Sequence, residues 1–297
     1  NNMHIETEFA IIGGGVAGLT TAIGLEQLGR EFIVFEQAKE LKGIGAGFGL
    51  AANAMQALDL LGLKVDVEKI GFYTSSFNIL DQRGNILLAP DTKKLSQQYN
   101  QDNFTIHRAD LHFYLLNQIP TEKVILGKKA IRFEQNADTI TVFFDDESTV
   151  KCKYLLIADG VKSPLRQQLL PHSTPRYSGY TCWRATIDNS SIKLDKGSET
   201  WGKDGRFGMT PLVGNRIYWY ACVNSKANNP VYRNYNVKDL TTHFQDYHTT
   251  IPTILAETKD VDLIWNDIID IKPLTHLAYG NILLLGDAGH ATTPNLG

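Results

Sequence analysis

Phe9-Ala10-Ile11-Ile12-Gly13-Gly14-Gly15-Val16-Ala17-Gly18-Leu19 is the stretch on which the fold turns. Its first four residues are an unbroken apolar run, the pattern of a strand buried on both faces of a parallel sheet. The glycines follow at once as G-x-G-x-x-G, and residues 19–28 then carry helical apolar spacing that ends near Gly29. A second apolar run, Phe32-Ile33-Val34-Phe35, closes on Glu36, 23 residues after Gly13. Strand, helix and strand in this order make a β-α-β unit, and each glycine in it has a reason. Gly13 permits the tight turn, Gly15 lets the backbone approach a pyrophosphate, and Gly18 lets helix and strand pack closely. The amides of the first helical turn, around Ala17, and the positive end of the helix dipole face the phosphate charge. Glu36 is placed to accept hydrogen bonds from a ribose diol. The unit reads as dinucleotide-binding but does not by itself separate NAD from FAD. No second G-x-G-x-x-G follows a later strand, which favours one tightly held cofactor.

Working outward, glycines recur at Gly43, Gly45, Gly47 and Gly49, with Ala46 among them, the composition of a loop that passes close to a ligand. Helices are expected over 53–61 and 109–118, the second led by His107-Arg108, and strands over 76–79, 86–88, 123–126, 130–134, 139–144, 149–151 and 155–158. The composition shifts at Pro171 to Pro175. Residues 176–223 are rich in Tyr, Trp and β-formers and read as antiparallel strands over a pocket. A helix is expected over 237–247, after which the apolar run 282–285 returns to the first domain. The fold class is therefore α/β: a Rossmann-like domain with a mostly parallel sheet, plus a second domain built on an antiparallel sheet. The expected division is 3–71, 104–171 and 277–297 for the nucleotide domain, and 72–103 and 172–276 for the substrate domain.

Composition closes off several function classes. The 297 residues are 43% apolar and 10% aromatic, enough for a large core and for more than one domain. With 29 basic and 32 acidic side chains and no basic stripe, nucleic acid is not an expected partner. The segment 9–25 is apolar, but it is short for a membrane span, glycine-rich and preceded by Glu6 and Glu8, so a soluble cytoplasmic protein is expected. Cys152, Cys182 and Cys222 lie far apart with no C-x-x-C pair and read as structural. The histidines show no metal-ligand spacing, so no metal is expected.

Three segments together resemble the single-component FAD-dependent aromatic monooxygenases of the para-hydroxybenzoate hydroxylase fold, in the branch of urate hydroxylase, salicylate hydroxylase and zeaxanthin epoxidase. They are the Gly13 to Glu36 unit, Ala158-Asp159-Gly160-Val161-Lys162-Ser163-Pro164-Leu165-Arg166, and Gly286-Asp287-Ala288-Gly289-His290 through Pro294 to Gly297. His107-Arg108-Ala109-Asp110-Leu111 also matches a segment that recurs in the family. The resemblance implies bound FAD, NAD(P)H as transient reductant, and O2 and a small electron-rich substrate as partners, with oxygen transfer through a C4a-hydroperoxyflavin. It implies that Asp287 bonds the ribityl chain and that Pro294 to Gly297 lie against the isoalloxazine. It implies that Asp159 lies between FAD and the reductant, and that Arg108 faces the flavin or its pyrophosphate. His290 reads as a loop brace. Arg206 and Tyr218, on expected strands of the second domain, are the substrate-side candidates, and Arg184 is a weaker one. An inactive FAD-binding protein, a reductase and a halogenase are the alternatives on this fold, and the halogenase W-x-W-x-I-P does not occur. The family pattern continues past the point matching Gly297, so a further C-terminal segment is expected, and Asn1-Asn2 ahead of Met3 reads as a remnant.

Overall fold

The computed structural model describes residues 2–41, 47–50, 52–73, 77–89 and 104–290. Two compact units divide the chain: unit 1 comprises Asn1–Lys42, His112–Ser178 and Ile269–Gly297, and unit 2 comprises Gly43–Leu111 and Gly179–Ile268.

Unit 1 is built on His4–Ile12, which runs parallel to Phe32–Phe35 on one side and Thr149–Ile157 on the other. Val124–Ile125 and Ile282–Leu284 extend the parallel array outward on the two sides. The lower half of Thr149–Ile157 pairs instead with Thr139–Phe144, antiparallel, which in turn pairs with Ala130–Asn136. The first strand therefore starts five residues before Phe9, and the two strands expected over 149–158 are one. The physical reason is coverage. Only the upper ends of these strands are buried on both faces, so a continuous apolar run marks the covered part of a strand and not its beginning.

The core of unit 1 gathers Ala10, Ile12, Phe35, Phe133, Val142, Ile157 and Leu284. The helix Val16–Gln27 buries Leu19, Ala22, Ile23 and Leu25, each of the large ones worth roughly 1.5–3 kcal/mol. Leu28, expected on that apolar face, is 74% exposed because it lies past the helix end. Gly29, at φ +68°, turns the chain there, and Arg30 N donates to Leu25 O at 2.9 Å to close the final turn.

Unit 2 carries a seven-stranded sheet in the order Ile264–Asp270, Arg176–Asp188, Arg216–Asn224, Gly205–Leu212, Gly197–Gly202, Phe77–Asp81 and Ile86–Leu88. Most pairs are antiparallel, with Gly197–Gly202 and Phe77–Asp81 parallel. Period-two alternation sends Trp183, Phe207, Trp219 and Ala221 to one face, where Leu240, Phe244, Ile251 and Ile254 cover them. Phe207 stacks on Trp219 with ring centroids 5.1 Å apart. The helices are Val237–His243 and Thr250–Ala256, where the sequence reading expected one helix over 237–247. Asn236 supplies a capping box with Asp239 at the start of the first.

A three-stranded sheet of Gly47–Leu50, Phe104–His107 and Gly71–Tyr73 also belongs to unit 2. Residues 47–50, 52–71 and 104–111 fall in the same unit as the large antiparallel sheet. No local pattern announces which sheet a three-residue strand will touch. Among the described residues, no helix is long and apolar enough to cross a membrane.

Candidate functional site

Three separated stretches of unit 1 meet at the upper ends of its parallel strands. Gly13 sits at φ +113°, and a methyl group there would lie 2.0 Å from Ala158 O and 2.9 Å from Asp159 N. A methyl at Gly18 would lie 2.0 Å from Gly13 O. The third stretch arrives at Gly286, φ +55°, where an added methyl would fall 2.8 Å from the Ala17 Cβ. Hydrogen bonds stitch the same points together: Ala158 N donates to Ile12 O at 2.7 Å, and Leu285 N to Ile157 O at 2.8 Å. The structure thus brings Gly13, Ala17, Gly18, Asp159 and Gly286 together, with Asp287 next in the chain.

Gly15 differs from these glycines. It is exposed, and a methyl there would meet nothing within 4 Å. It is also the N-cap of the helix Val16–Gln27, with no side chain capping that end and no acid in its first turn. The helix start therefore offers backbone donors and a positive dipole end to an anion.

Glu36 reaches back over the turn. Its Oε1 accepts from Gly14 N at 3.2 Å and its Oε2 from Ala38 N at 2.5 Å, which fixes the carboxylate at the strand end. A further brace comes from His112, whose Nε2 lies 2.6 Å from Gly14 O and donates to it. Sequence reasoning missed His112, which carries no motif.

Asp159 is not a helix cap. The helix Pro164–Leu169 is capped by Ser163, whose hydroxyl accepts from Arg166 N at 3.1 Å. Asp159 instead holds Oδ1 buried with no hydrogen-bond partner among the described residues. Burial pushes its carboxyl up to about 6, against the lowering pull of Ser163 and Arg166. A buried acceptor without a donor costs roughly 1–3 kcal/mol, more when charged, so this atom marks where a donor belongs.

Arg166 is the organiser of the site. It is fully buried, and its guanidinium donates to Val161 O at 2.6 Å, Ser173 O at 3.0 Å, Ala288 O at 3.3 Å and Gly160 O at 3.4 Å. One side chain thereby ties the loop after Asp159 to the turn Asp287–His290. Arg166 was visible as the last letter of its motif, but its role was not. Asp287 and His290 are both exposed, and His290 joins the turn through its backbone, N to Gly286 O at 2.8 Å.

Gly47 and Arg108 lie in unit 2, where Gly47 pairs with His107 in register and Arg108, exposed, opens the helix Arg108–Leu116. Gly45, Ala46, Pro294 and Gly297 lie outside the described residues.

Arg206 and Tyr218 share the face of the large sheet opposite its aromatic core. Cross-strand register puts Arg206 beside Cys222, Gly208 beside Tyr220, and Thr210 beside Tyr218. A methyl at Gly208 would collide with the Tyr220 ring at 2.1 Å, so glycine lets that ring lie across the strand. The Tyr220 hydroxyl donates to Oε1 of Glu199 at 3.1 Å, and Trp201 Nε1 donates to its Oε2 at 3.1 Å. Arg206 Nη1 stands 3.6 Å from the same Oε1, and its guanidinium lies 5.5 Å over the Tyr180 ring. Glu199 is 1% exposed, a buried carboxylate that anchors a half-exposed arginine. Burial raises the Tyr218 phenol above its ordinary value, against the lowering pull of Arg184. Sequence reasoning named Arg206 and Tyr218 but missed Glu199 and Tyr220, which only register brings to them.

A dinucleotide-type β-α-β unit closed by two further strand-end segments, joined to a unit with an antiparallel sheet, defines the fold of the flavoprotein monooxygenases. The chain belongs to the FAD binding domain family, which matches it over residues 6–297. It is an FAD-dependent monooxygenase, an oxidoreductase whose cofactor is FAD. Aurachin C monooxygenase/isomerase of Stigmatella aurantiaca is 34% identical over 288 residues, covering 97% of this chain and 75% of that protein. The FAD-dependent urate hydroxylase of Klebsiella pneumoniae is 30% identical over 291 residues, with 97% and 76% covered. Klebsiella pneumoniae HpxO, solved with FAD and uric acid, superposes with TM-score 0.85 at 27% identity, covering 97% of this chain and 74% of that one.

Proposed function

We propose that this chain uses NAD(P)H and O2 to hydroxylate or epoxidise a small, electron-rich aromatic or heteroaromatic compound. The observation that carries the reading is the convergence of the Gly13, Asp159 and Gly286 segments around an exposed helix N-terminus, with one buried acceptor of Asp159 lacking a donor. These features fit FAD along its length. Gly15 and the amides around Ala17 would take the pyrophosphate, Glu36 the ribose hydroxyls, and Asp287 the ribityl hydroxyls. Asp159 Oδ1 would accept from a cofactor hydroxyl or from the reductant. Gly45, Ala46, Gly47, Arg108, Pro294 and Gly297 complete the proposed contacts. Bound and reduced FAD supplies the activation of O2, so the protein's share is position, water exclusion and electrostatics.

The proposed substrate wall is the polar face of unit 2. Arg206, held by Glu199, presents a fixed cation to an acidic or phenolate oxygen, and Tyr218 and Arg184 offer a donor pair alongside. The uric acid bound by HpxO is an acidic heteroaromatic of the kind this face would take.

A direct test is to purify the protein, record flavin absorbance, and follow NADH and NADPH oxidation against a panel of phenols and purines. Substrate-stimulated oxidation with a product one oxygen heavier is expected. Bound flavin with no response to any aromatic would replace this reading with that of an inactive FAD-binding protein.

A further inference from the structure

Cys182 and Cys222, 40 residues apart in sequence and read there as structural, are directly opposite each other on antiparallel strands of unit 2. Residues paired this way point to the same face, with Cα atoms about 4.5 or 5.5 Å apart. Both values fall inside the separation of roughly 4.4–6.8 Å that a disulfide spans. Both thiols are free, and Cys182 Sγ donates to Trp183 O at 3.5 Å. The row continues through Arg206, the register partner of Cys222 on its other side. Cys222 also lines a cavity of about 450 Å³ shared with Tyr180, Arg206, Asn224, Tyr232 and His243. Of the two cysteines, Cys222 belongs to that lining and Cys182 does not.

We propose that Cys222 and Cys182 form a reactive thiol pair, a modification site at which a hydroperoxide makes a reversible cross-strand disulfide. The roles are unequal. Cys222 is held below the usual thiol range by the neighbouring Cys182 thiol, with Arg206 and Arg184 adding to the pull, while Cys182 is raised by the same pairing and by burial. Cys222, which lines the cavity where Cys182 does not, is therefore the attacking thiolate. Its sulfur bonds one peroxide oxygen, the O–O bond breaks, and hydroxide leaves. Cys182 sulfur then attacks the sulfenic sulfur, the S–O bond breaks, and the second oxygen leaves as water with the Cys182 proton. Two thiols lose two electrons in total, and one hydrogen peroxide becomes two waters. Cys152 is the internal contrast. It is buried in unit 1 among apolar residues, and burial pushes its thiol up to about 12.

The test treats the purified flavin-loaded protein with hydrogen peroxide and maps thiols by peptide mass spectrometry, with Cys152→Ala as the control protein. A Cys182–Cys222 peptide link that dithiothreitol reverses is expected. Cys222→Ser should leave Cys182 unoxidised, and Cys182→Ser should leave a dimedone-reactive sulfenic acid at Cys222. Thiols that stay free, a link that involves Cys152, or equal sulfenic labelling of both single variants would overturn the pair. Near-UV and far-UV circular dichroism of each variant separates a chemical effect from misfolding. The consequence for turnover rests on the substrate-wall reading above. If the link forms and aromatic-stimulated NAD(P)H oxidation is unaltered, that reading of Arg206 fails while the thiol pair stands.

Discussion

Unit 1 and unit 2 build their candidate surfaces from different material. In unit 1 the surface is main chain: glycines so tightly opposed that a methyl would strike backbone at 2.0 Å, with one buried arginine tying carbonyls together. In unit 2 the surface is side chain: Glu199, Arg206, Tyr218, Tyr220 and two cysteines standing on one face of a sheet. A backbone site has little freedom to change, because every strand end in it is fixed by the sheet. A side-chain face keeps its scaffold while its groups are exchanged. The first arrangement suits a cofactor common to a family, and the second suits substrates that differ among its members.

The sharpest way to break this contrast is Gly13→Ala. Its added methyl meets Ala158 O in a left-handed backbone conformation, so a loss of about 4 kcal/mol or more is expected. Denaturant unfolding and flavin content measure it, and a stable variant with full flavin would refute the backbone account. Arg166→Met comes next, at about 3 kcal/mol, because the carbonyls of Val161, Ser173 and Ala288 lose their donor. Flavin retention should fall with stability, and Arg166→Lys should not rescue it, since an ammonium lacks the guanidinium fork.

Unit 2 should answer differently. Glu199→Ala removes the acceptor of Tyr220 and Trp201 and is expected to cost about 2 kcal/mol. Flavin content should hold while KM for the aromatic substrate rises. A parallel loss of flavin would erase the distinction between the units.

The smallest effect is a pH dependence. The Asp159 carboxyl is raised to about 6 in the folded chain, whereas an unfolded aspartate titrates near about 3.9. Between these values the folded chain binds more protons, so this group's contribution to stability falls as pH rises toward 6 and stays lost above it. The span is on the order of 1–2 kcal/mol after allowance for solvent screening. Apoprotein carrying Asp159→Asn should show a flatter stability profile between pH 4 and 6, and an unchanged slope would remove the proposed strain at Asp159.

Much of unit 1 was legible because its motif residues do local work. Gly13 and Gly18 are dictated by a turn and a helix that begin within a few residues, and Glu36 by the strand it ends. His112 was not legible, since its hydrogen bond to Gly14 spans 98 residues and leaves no spacing signal. Arg166 was readable as a motif letter only. In unit 2 the alternation of aromatics announced strands, yet the pairing of Glu199 with Tyr220 and of Cys182 with Cys222 depends on register. Register is set by how whole strands bury their apolar faces. The three-residue strand Gly71–Tyr73 and the seven-residue strand Ile264–Asp270, whose burial does not alternate, carried too little pattern to be assigned.

By itself the sequence determined the β-α-β unit, the order of the segments proposed to hold the flavin and the presence of a second, antiparallel sheet, because those follow from apolar periodicity and from glycines that only one backbone geometry requires. Tertiary structure alone decided which distant groups became neighbours. A carboxylate under an arginine, an arginine between two loops and a thiol opposite a thiol are outcomes of strand register and close packing. These act over the whole chain and leave no trace in any short stretch of it.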